Sequence, residues 1–316
     1  GSKACLLNVL RIAARYGYLW DIEKDYGLNL RSLTLFADKT YQSNPKFRPI
    51  LGGREQEFSD EEILQLEKVH QALAIIQFKL ENQLIKRRPE FQMQDHVMLD
   101  KIDYWEESVT IDDTKHALVN TCFQTIDPEN PSALTPEDNQ AVESMLASFQ
   151  SSLKMAEHMS LLMNKGSMYK IYNQHLLFHG CIPLEPSGEF QPFILNQAHY
   201  AGKELLDFFE YHIRQSAKNK EVGDDLSTDL IWYCWKGKLS PLFGKEKMTT
   251  LERYFIEDKD THKEVENSYF SYRNSEKVCR LILEEFGLFS QESRMVNGHT
   301  PVKTGKGESP IRGGGL

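Results

Sequence analysis

Apolar residues recur along this chain at two periods, and the periods divide it into helical and extended stretches. Steps of three and four residues run through 59–88, where Leu66, Val69, Leu73, Ile76, Leu80 and Leu84 share one helical stripe. Ser59-Asp60-Glu61-Glu62 opens that stretch as a capping box, because a Ser hydroxyl and a Glu three residues on satisfy each other's free amides. Lys86-Arg87-Arg88 closes it before Pro89, with cations at the negative end of the helix dipole. A solvated, dipole-complementing end explains that basic cluster better than an anion or nucleic-acid site does. The stripe itself is a packing face, which leaves dimerisation open.

Similar spacing predicts helices over 5–16, stopped by Gly17, and over 29–41, 201–218 and 274–286, the last stopped by Gly287. Thr135-Pro136-Glu137-Asp138 starts a further long helix, with Thr as N-cap and Pro in the first turn. Met145, Phe149, Leu153, Met159 and Met163 are its expected core stripe. Extended segments are shorter. Val97-Met98-Leu99 and Val109-Thr110-Ile111 flank Tyr104-Trp105-Glu106-Glu107-Ser108, which predicts a small β-hairpin. The runs 168–172 and 175–178 flank Asn173-Gln174, a two-residue turn, and Arg294-Met295-Val296 reads as one more short strand. Loops are expected over 44–53, 127–136 and 219–227, with 258–266 charged and exposed. Trp232, Tyr233 and Trp235 could stack on a sugar or base, but core packing is the commoner use of such a run.

With 316 residues and a mass of 36.6 kDa, the chain fills one large domain or two ordinary ones. Its 40% hydrophobic and 26% charged content suits a globular core, and no apolar run reaches the length of a membrane span. The opening Gly1-Ser2-Lys3-Ala4 is not a signal peptide pattern. Cys5, Cys122, Cys181, Cys234 and Cys279 are scattered, odd in number and free of any C-x-x-C pair, which favours reduced thiols in the cytoplasm. A net charge of −9 opposes nonspecific nucleic-acid binding. An anionic small substrate would need local cations or metals to overcome that field.

Candidate chemistry centres on two histidines set alike. Leu176-Leu177-Phe178-His179-Gly180-Cys181-Ile182-Pro183 is an apolar strand ending in His-Gly, and Asn297-Gly298-His299-Thr300-Pro301-Val302-Lys303 follows the last strand. A His on a stiff turn at a strand end has a fixed direction, as a metal ligand requires. A lone His is more often structural, so neither position decides the matter alone. His175 falls on the same strand face as His179 and reads as a surface residue. Lys236, Lys238, Lys245, Lys247 and Arg253 surround Pro241 and Gly244. Such a loop could hold phosphate oxygens, although Glu246 and Glu252 also fit a solvated face.

With their flanks these segments resemble the class III fructose-1,6-bisphosphatases, bacterial members of the calcineurin-like metallophosphoesterase superfamily. The resemblance rests on Asn297 to Lys303 followed by Lys306-Gly307-Glu308-Ser309-Pro310-Ile311, and on the segment from Leu176 to Pro183. Pro241-Leu242-Phe243-Gly244-Lys245, Glu252-Arg253-Tyr254-Phe255 and the opening Ser2-Lys3-Ala4-Cys5 also contribute. It implies an α/β protein: part of a calcineurin-like core, a β-sandwich flanked by helices, with large mainly helical insertions. Residues 1–45, 166–200 and 290–316 would belong to that core, 46–165 to an insertion carrying the hairpin, and 201–289 to a second helical insertion.

The resemblance also implies a chemistry. The 1-phosphate of fructose 1,6-bisphosphate would be removed, a gluconeogenic step, by water activated at two divalent ions, Mn²⁺ foremost. His179 and His299 would be metal ligands, with Asn297 and Gly298 fixing the turn that aims His299. Lys303, Lys245 and Arg253 would contact substrate phosphate. The superfamily's Asp-x-His, Gly-Asp-x-x-Asp-Arg-Gly and Gly-Asn-His segments, the last carrying the general acid, are not in this chain. Gly223-Asp224-Asp225 is an echo with the wrong spacing, and Pro301 stands where many superfamily members carry a second His. The chain therefore reads as an internal fragment of a sugar-bisphosphate phosphatase, inactive alone, with no nucleic-acid or membrane partner and homo-oligomerisation undecided. Two other readings stay open: a metallophosphoesterase of other substrate range, and a truncated, non-catalytic binding module.

Overall fold

The computed structural model describes residues 1–218 and 225–315. Most of the polar loop expected over 219–227, with Gly223 and Asp224 of the Gly-Asp-Asp echo, lies outside the described residues. In chain order the elements begin with α1 (Ser2–Arg15), α2 (Leu19–Tyr26), α3 (Arg31–Thr40) and α4 (Asp60–Arg87). Strands β1 (Ile102–Asp103), β2 (Ser108–Ile111) and β3 (Thr114–Ala117) precede α5 (Pro136–Ser151) and α6 (Leu153–Lys165). Then come β4 (Tyr169–Tyr172), β5 (His175–Phe178), β6 (Phe193–Leu195), β7 (Ala198–Tyr200), α7 (Gly202–Lys218) and α8 (Leu226–Lys236). The last are α9 (Thr250–Phe255), α10 (Tyr269–Tyr272), α11 (Glu276–Glu285) and β8 (Met295–Asn297). This is an α/β architecture dominated by helices, with small sheets. No helix among the described residues is long and apolar enough to cross a membrane.

Two compact units divide the chain. One comprises Gly1–Pro89, Gln94–Asn164 and Thr249–Lys263; the other Glu90–Met93, Lys165–Met248 and Glu264–Leu316. Residues 1–45 thus fall with α4 in the first unit, whereas 166–200 and 290–316 share the second.

The first unit is built on α4, against which α1 and α3 pack. Its capping box forms as the sequence predicts, with the Glu62 amide donating to Ser59 Oγ at 3.2 Å and the Ser59 amide donating to Glu62 Oε2 at 2.8 Å. The single apolar stripe, however, understates the burial. Nearly every residue between Leu66 and Ile85 is buried, polar ones included, because neighbours cover the helix on all sides. Each buried polar group then needs a partner. Glu67 accepts from Ser43 Oγ at 2.7 Å, and Arg11 Nε donates to Gln77 Oε1 at 2.6 Å. His70 spans from the Phe47 carbonyl at 2.9 Å to the Tyr254 hydroxyl at 2.6 Å. Lys79 Nζ meets Asp138 Oδ2 at 2.6 Å with both side chains fully buried. The same Asp138 oxygen accepts the Thr135 amide at 3.0 Å, so one carboxylate closes the ion pair and caps α5.

Three expectations need correction here. The long helix after Thr135 is two helices, broken at Ser152, whose hydroxyl donates to the Tyr26 carbonyl at 2.6 Å. Its expected core stripe continues only as far as α5: Met145 is buried, but Leu153 is 81% exposed and α6 buries no residue. The hairpin is a three-stranded sheet, β1-β2-β3, in which Val97-Met98-Leu99 takes no part; those residues lie among short 3₁₀ turns. Asp112 and Asp113, both at positive φ, form the β2–β3 turn. Helix α2 was not among the expected helices: it is only eight residues long, and Leu19 is its only buried residue.

In the second unit, α7 packs on α8 around an aromatic cluster of Phe193, Phe208, Phe209, Tyr233 and Phe91. Trp232 and Tyr233 are core residues, as their sequence context favours, while Trp235 is 42% exposed. Asn173-Gln174 forms the expected turn between β4 and β5, with φ of 47° and 60°. Asn196-Gln197 makes an equivalent turn between β6 and β7, a hairpin that the sequence did not disclose.

Replacing Lys79 by Ala leaves Asp138 charged and buried, and is expected to cost about 3–5 kcal/mol in a denaturant titration. Burial holds His70 down to about 3, against about 6.5 in an unfolded chain. The unfolded state therefore binds the extra proton, and stability falls as pH drops from about 6.5 towards about 3. At pH 5 the expected loss is about 2 kcal/mol relative to pH 7, and His70→Gln should flatten that part of the profile.

Candidate metal centre

Strand β5 is the middle strand of a three-stranded sheet, antiparallel to β4 and parallel to β8. Its alternation buries Leu176 and Phe178, so the strand cannot slip by one residue without exposing both. The parallel ladder aligns Leu176 with Met295, Leu177 with Val296 and Phe178 with Asn297. Both strands consequently end side by side, and each is followed within two residues by a histidine.

Further bonds hold the two exits together. The Gly298 amide donates to the His179 carbonyl at 2.9 Å, and Asn297 Nδ2 donates to the Gly180 carbonyl at 3.1 Å. His299 takes a left-handed conformation with φ of 61°, uncommon for a side chain other than Gly and a source of local strain. The result is that His179 Nε2 and His299 Nδ1 stand 3.0 Å apart, with ring planes at 83°. Gly180 lies directly on the 240–244 segment: a Cβ there would fall 2.3 Å from the Pro241 carbonyl, which also accepts the Cys181 amide at 2.9 Å. The His179 turn is therefore clamped from behind.

His299 has its pKa lowered first by partial desolvation, then by the nearby His179 ring and the Lys245 cation; Glu266 and the Phe243 backbone oppose the shift. A neutral ring near pH 7 keeps a nitrogen lone pair available. Lys245 is engaged as well, its Nζ 2.8 Å from Glu264 Oε2. Lys303 is exposed, and its amide donates to Glu308 Oε2 at 3.0 Å. Arg253 belongs to the other unit, where Nε donates to Thr249 Oγ1 at 3.1 Å and an NH₂ group donates to the His262 carbonyl at 2.8 Å. His175 turns its Nδ1 to the Arg294 amide at 3.1 Å, a strand-end contact.

The donor chemistry of two converging imidazole nitrogens suits a divalent transition metal. Two nitrogens are nevertheless only part of a coordination sphere, and no group of three His, Cys, Asp or Glu residues assembles among the described residues. Sequence reasoning passed over three residues that the fold brings near His299. Tyr269, Arg273 and Arg312 line a cavity together with Asn297, Gly298 and Thr300. Tyr269 and Arg273 lie four residues apart at α10, where the Arg273 amide donates to the Tyr269 carbonyl at 2.8 Å, but Arg312 comes from another segment, so no single stretch of sequence marks the set.

The chain belongs to the Firmicute fructose-1,6-bisphosphatase family, which matches it over residues 1–316. Among curated relatives, the class 3 fructose-1,6-bisphosphatase of Streptococcus sanguinis is 96% identical over 316 residues, covering 100% of this chain and 50% of the relative. That of Streptococcus gordonii is 85% identical with the same coverage, and that of Pediococcus pentosaceus 50% identical over 100% of this chain and 48% of its own length. The chain spans about half the length of the curated relatives it matches. No solved structure matches it.

Gly180→Ala is expected to displace the Pro241 segment and destabilise the protein by about 1–3 kcal/mol. Gly298→Ala should stay within about 0.5 kcal/mol of the parent, because a Cβ there meets only the His179 carbonyl at 3.7 Å. Paired thermal melts of the two variants check both.

Proposed function

We propose that the complete protein containing this chain hydrolyses a phosphate ester of fructose 1,6-bisphosphate, releasing phosphate in the gluconeogenic direction. The observation that carries the proposal is the 3.0 Å convergence of His179 and His299 on adjoining strand ends, within a chain of the fructose-1,6-bisphosphatase family. In this reading the two imidazoles are ligands to a divalent cation, Mn²⁺ foremost, and the remaining ligands come from outside the described residues. Divalent cations at such a site supply Lewis acidity towards phosphoryl oxygens and an acidified water as nucleophile.

The chain's own residues then have separable tasks. His179 and His299 present lone pairs from rings whose directions are set by backbone pairing rather than by side-chain freedom. Asn297 and Gly298 hold His299 in position through their bonds to the Gly180 and His179 carbonyls. Lys303, Lys245 and Arg253 are proposed phosphate contacts. Lys245 would exchange its bond to Glu264 for a phosphate oxygen. The sheet of β4, β5 and β8 would be part of a calcineurin-like core, with the helices inserted around it, in a cytoplasmic enzyme acting on a sugar bisphosphate.

Activity should therefore belong to the complete gene product loaded with Mn²⁺. His179→Ala and His299→Ala are each expected to lower kcat by at least about 100-fold and to weaken metal binding about 10–100-fold. Phosphate release from fructose 1,6-bisphosphate, followed alongside metal content, checks this. Full activity in the double variant would overturn the assignment. Turnover of other phosphate esters in preference to the bisphosphate would favour a metallophosphoesterase of different range.

A further inference from the structure

Within the second unit, a cavity of about 90 Å³ adjoins the turn that aims His299. One water needs only about 10–15 Å³ of such space, so there is room for a small tetrahedral anion. Asn297, Gly298 and Thr300 are among its lining residues, although neither His179 nor His299 lines it.

The rest of the lining includes polar groups left without protein partners. Arg273 Nε is buried with no hydrogen-bond partner, and no carboxylate among the described residues pairs with this guanidinium. Its Cζ lies 5.1 Å from the centre of the Phe270 ring, a contact that orients the planar group while leaving its N–H donors free. Tyr269 is 1% exposed, and its hydroxyl also lacks a partner. Burial pushes that phenol well above its ordinary pKa, so it remains an O–H donor. Arg312 supplies a second cation. It is placed by Gly313, whose φ of 54° and close approach leave only 3.0 Å between an added Cβ and the Arg273 carbonyl. No Asp or Glu lines the cavity among the described residues. Buried donors without acceptors are costly, and a doubly charged oxyanion would satisfy all of them at once.

We propose that this cavity binds a phosphoryl dianion, and that in the complete enzyme it takes the phosphoryl group of the sugar bisphosphate that is not hydrolysed. The second half rests on the phosphatase reading above. A substrate with a phosphoryl group at each end could place one beside the histidine pair and the other between Arg273 and Arg312. Tyr269 would donate its hydroxyl to an oxygen of the retained group. Selectivity for bisphosphates over monophosphates would then reside in this cavity and not in the metal ligands.

Inorganic phosphate, titrated calorimetrically into the complete gene product stripped of metal by chelation, tests the first half. Arg273→Met is expected to weaken binding about tenfold, and the Arg273→Met/Arg312→Met pair to abolish it. The His179→Ala/His299→Ala pair should still bind phosphate. Unchanged affinity in the arginine double variant would overturn the site. Circular dichroism melts accompany each variant, and if Arg273→Met does not fold, Arg312→Met decides on its own.

Steady-state kinetics with Mn²⁺ test the second half. The ratio of kcat/KM for fructose 1,6-bisphosphate over fructose 1-phosphate should fall about tenfold in Arg273→Met. Loss of phosphate binding with an unchanged ratio would make free phosphate the ligand and overturn the substrate assignment. If the unaltered protein turns over neither sugar phosphate, the phosphatase reading and the substrate assignment fail together, and the titration still judges the cavity.

Discussion

Everything at the candidate site depends on the parallel pairing of β5 with β8. The ladder is only three residues long, and it joins histidines 120 positions apart in the chain. Parallel pairing is slightly weaker per residue than antiparallel pairing, and closing so long a loop costs conformational entropy. The ladder is accordingly extended past its last strand residue. Gly298 continues it in backbone to the His179 carbonyl, and Asn297 adds a side-chain bond to the Gly180 carbonyl. Buried Leu176 and Phe178 lock the register. A slip of one residue would turn the two imidazoles to different faces, and their 3.0 Å approach would be lost.

The first unit uses a different solution to a similar problem of uniqueness. A helix buried on all sides must satisfy every polar group it carries, and α4 does so with partners from distant segments. Asp138 is the clearest example, because it neutralises Lys79 and caps α5 with the same oxygen. Its other oxygen, Oδ1, is buried without a protein partner, so the pair is only partly satisfied. Networks of this kind specify one arrangement, since most alternative packings would strand a charge in a low-dielectric interior. His70 contributes in the same way, its two ring nitrogens bridging the Phe47 carbonyl and the Tyr254 hydroxyl.

Local charge in the second unit runs against the overall balance. The chain carries a net charge of −9, yet Lys245 acts electrostatically on His299, and Arg273 and Arg312 face a cavity that no carboxylate lines among the described residues. For an anionic substrate the local field is the relevant one, because screening confines charge effects to about 8–10 Å. Lys245 and Glu266 act on His299 in opposite directions, and desolvation, with the His179 ring and Lys245, outweighs Glu266 and the Phe243 backbone.

By itself the sequence determined what short-range physics governs. The capping box at Ser59, the Thr135 N-cap, the Asn173-Gln174 turn and the stops at Gly17 and Gly287 all act within about four residues, and all are found where the sequence puts them. The two His-containing turns were legible for the same reason, as local strand-end patterns. What only the tertiary structure decided depends on partners brought from far along the chain. The covering of α4 on every side, the break at Ser152 held by the Tyr26 carbonyl, and the meeting of Arg312 with Tyr269 and Arg273 have no local signature. A helix stripe records that some face is buried, but how many faces are covered depends on which neighbours arrive. An arginine reads as a solvated charge until the fold buries its Nε and sets a phenol in the same cavity.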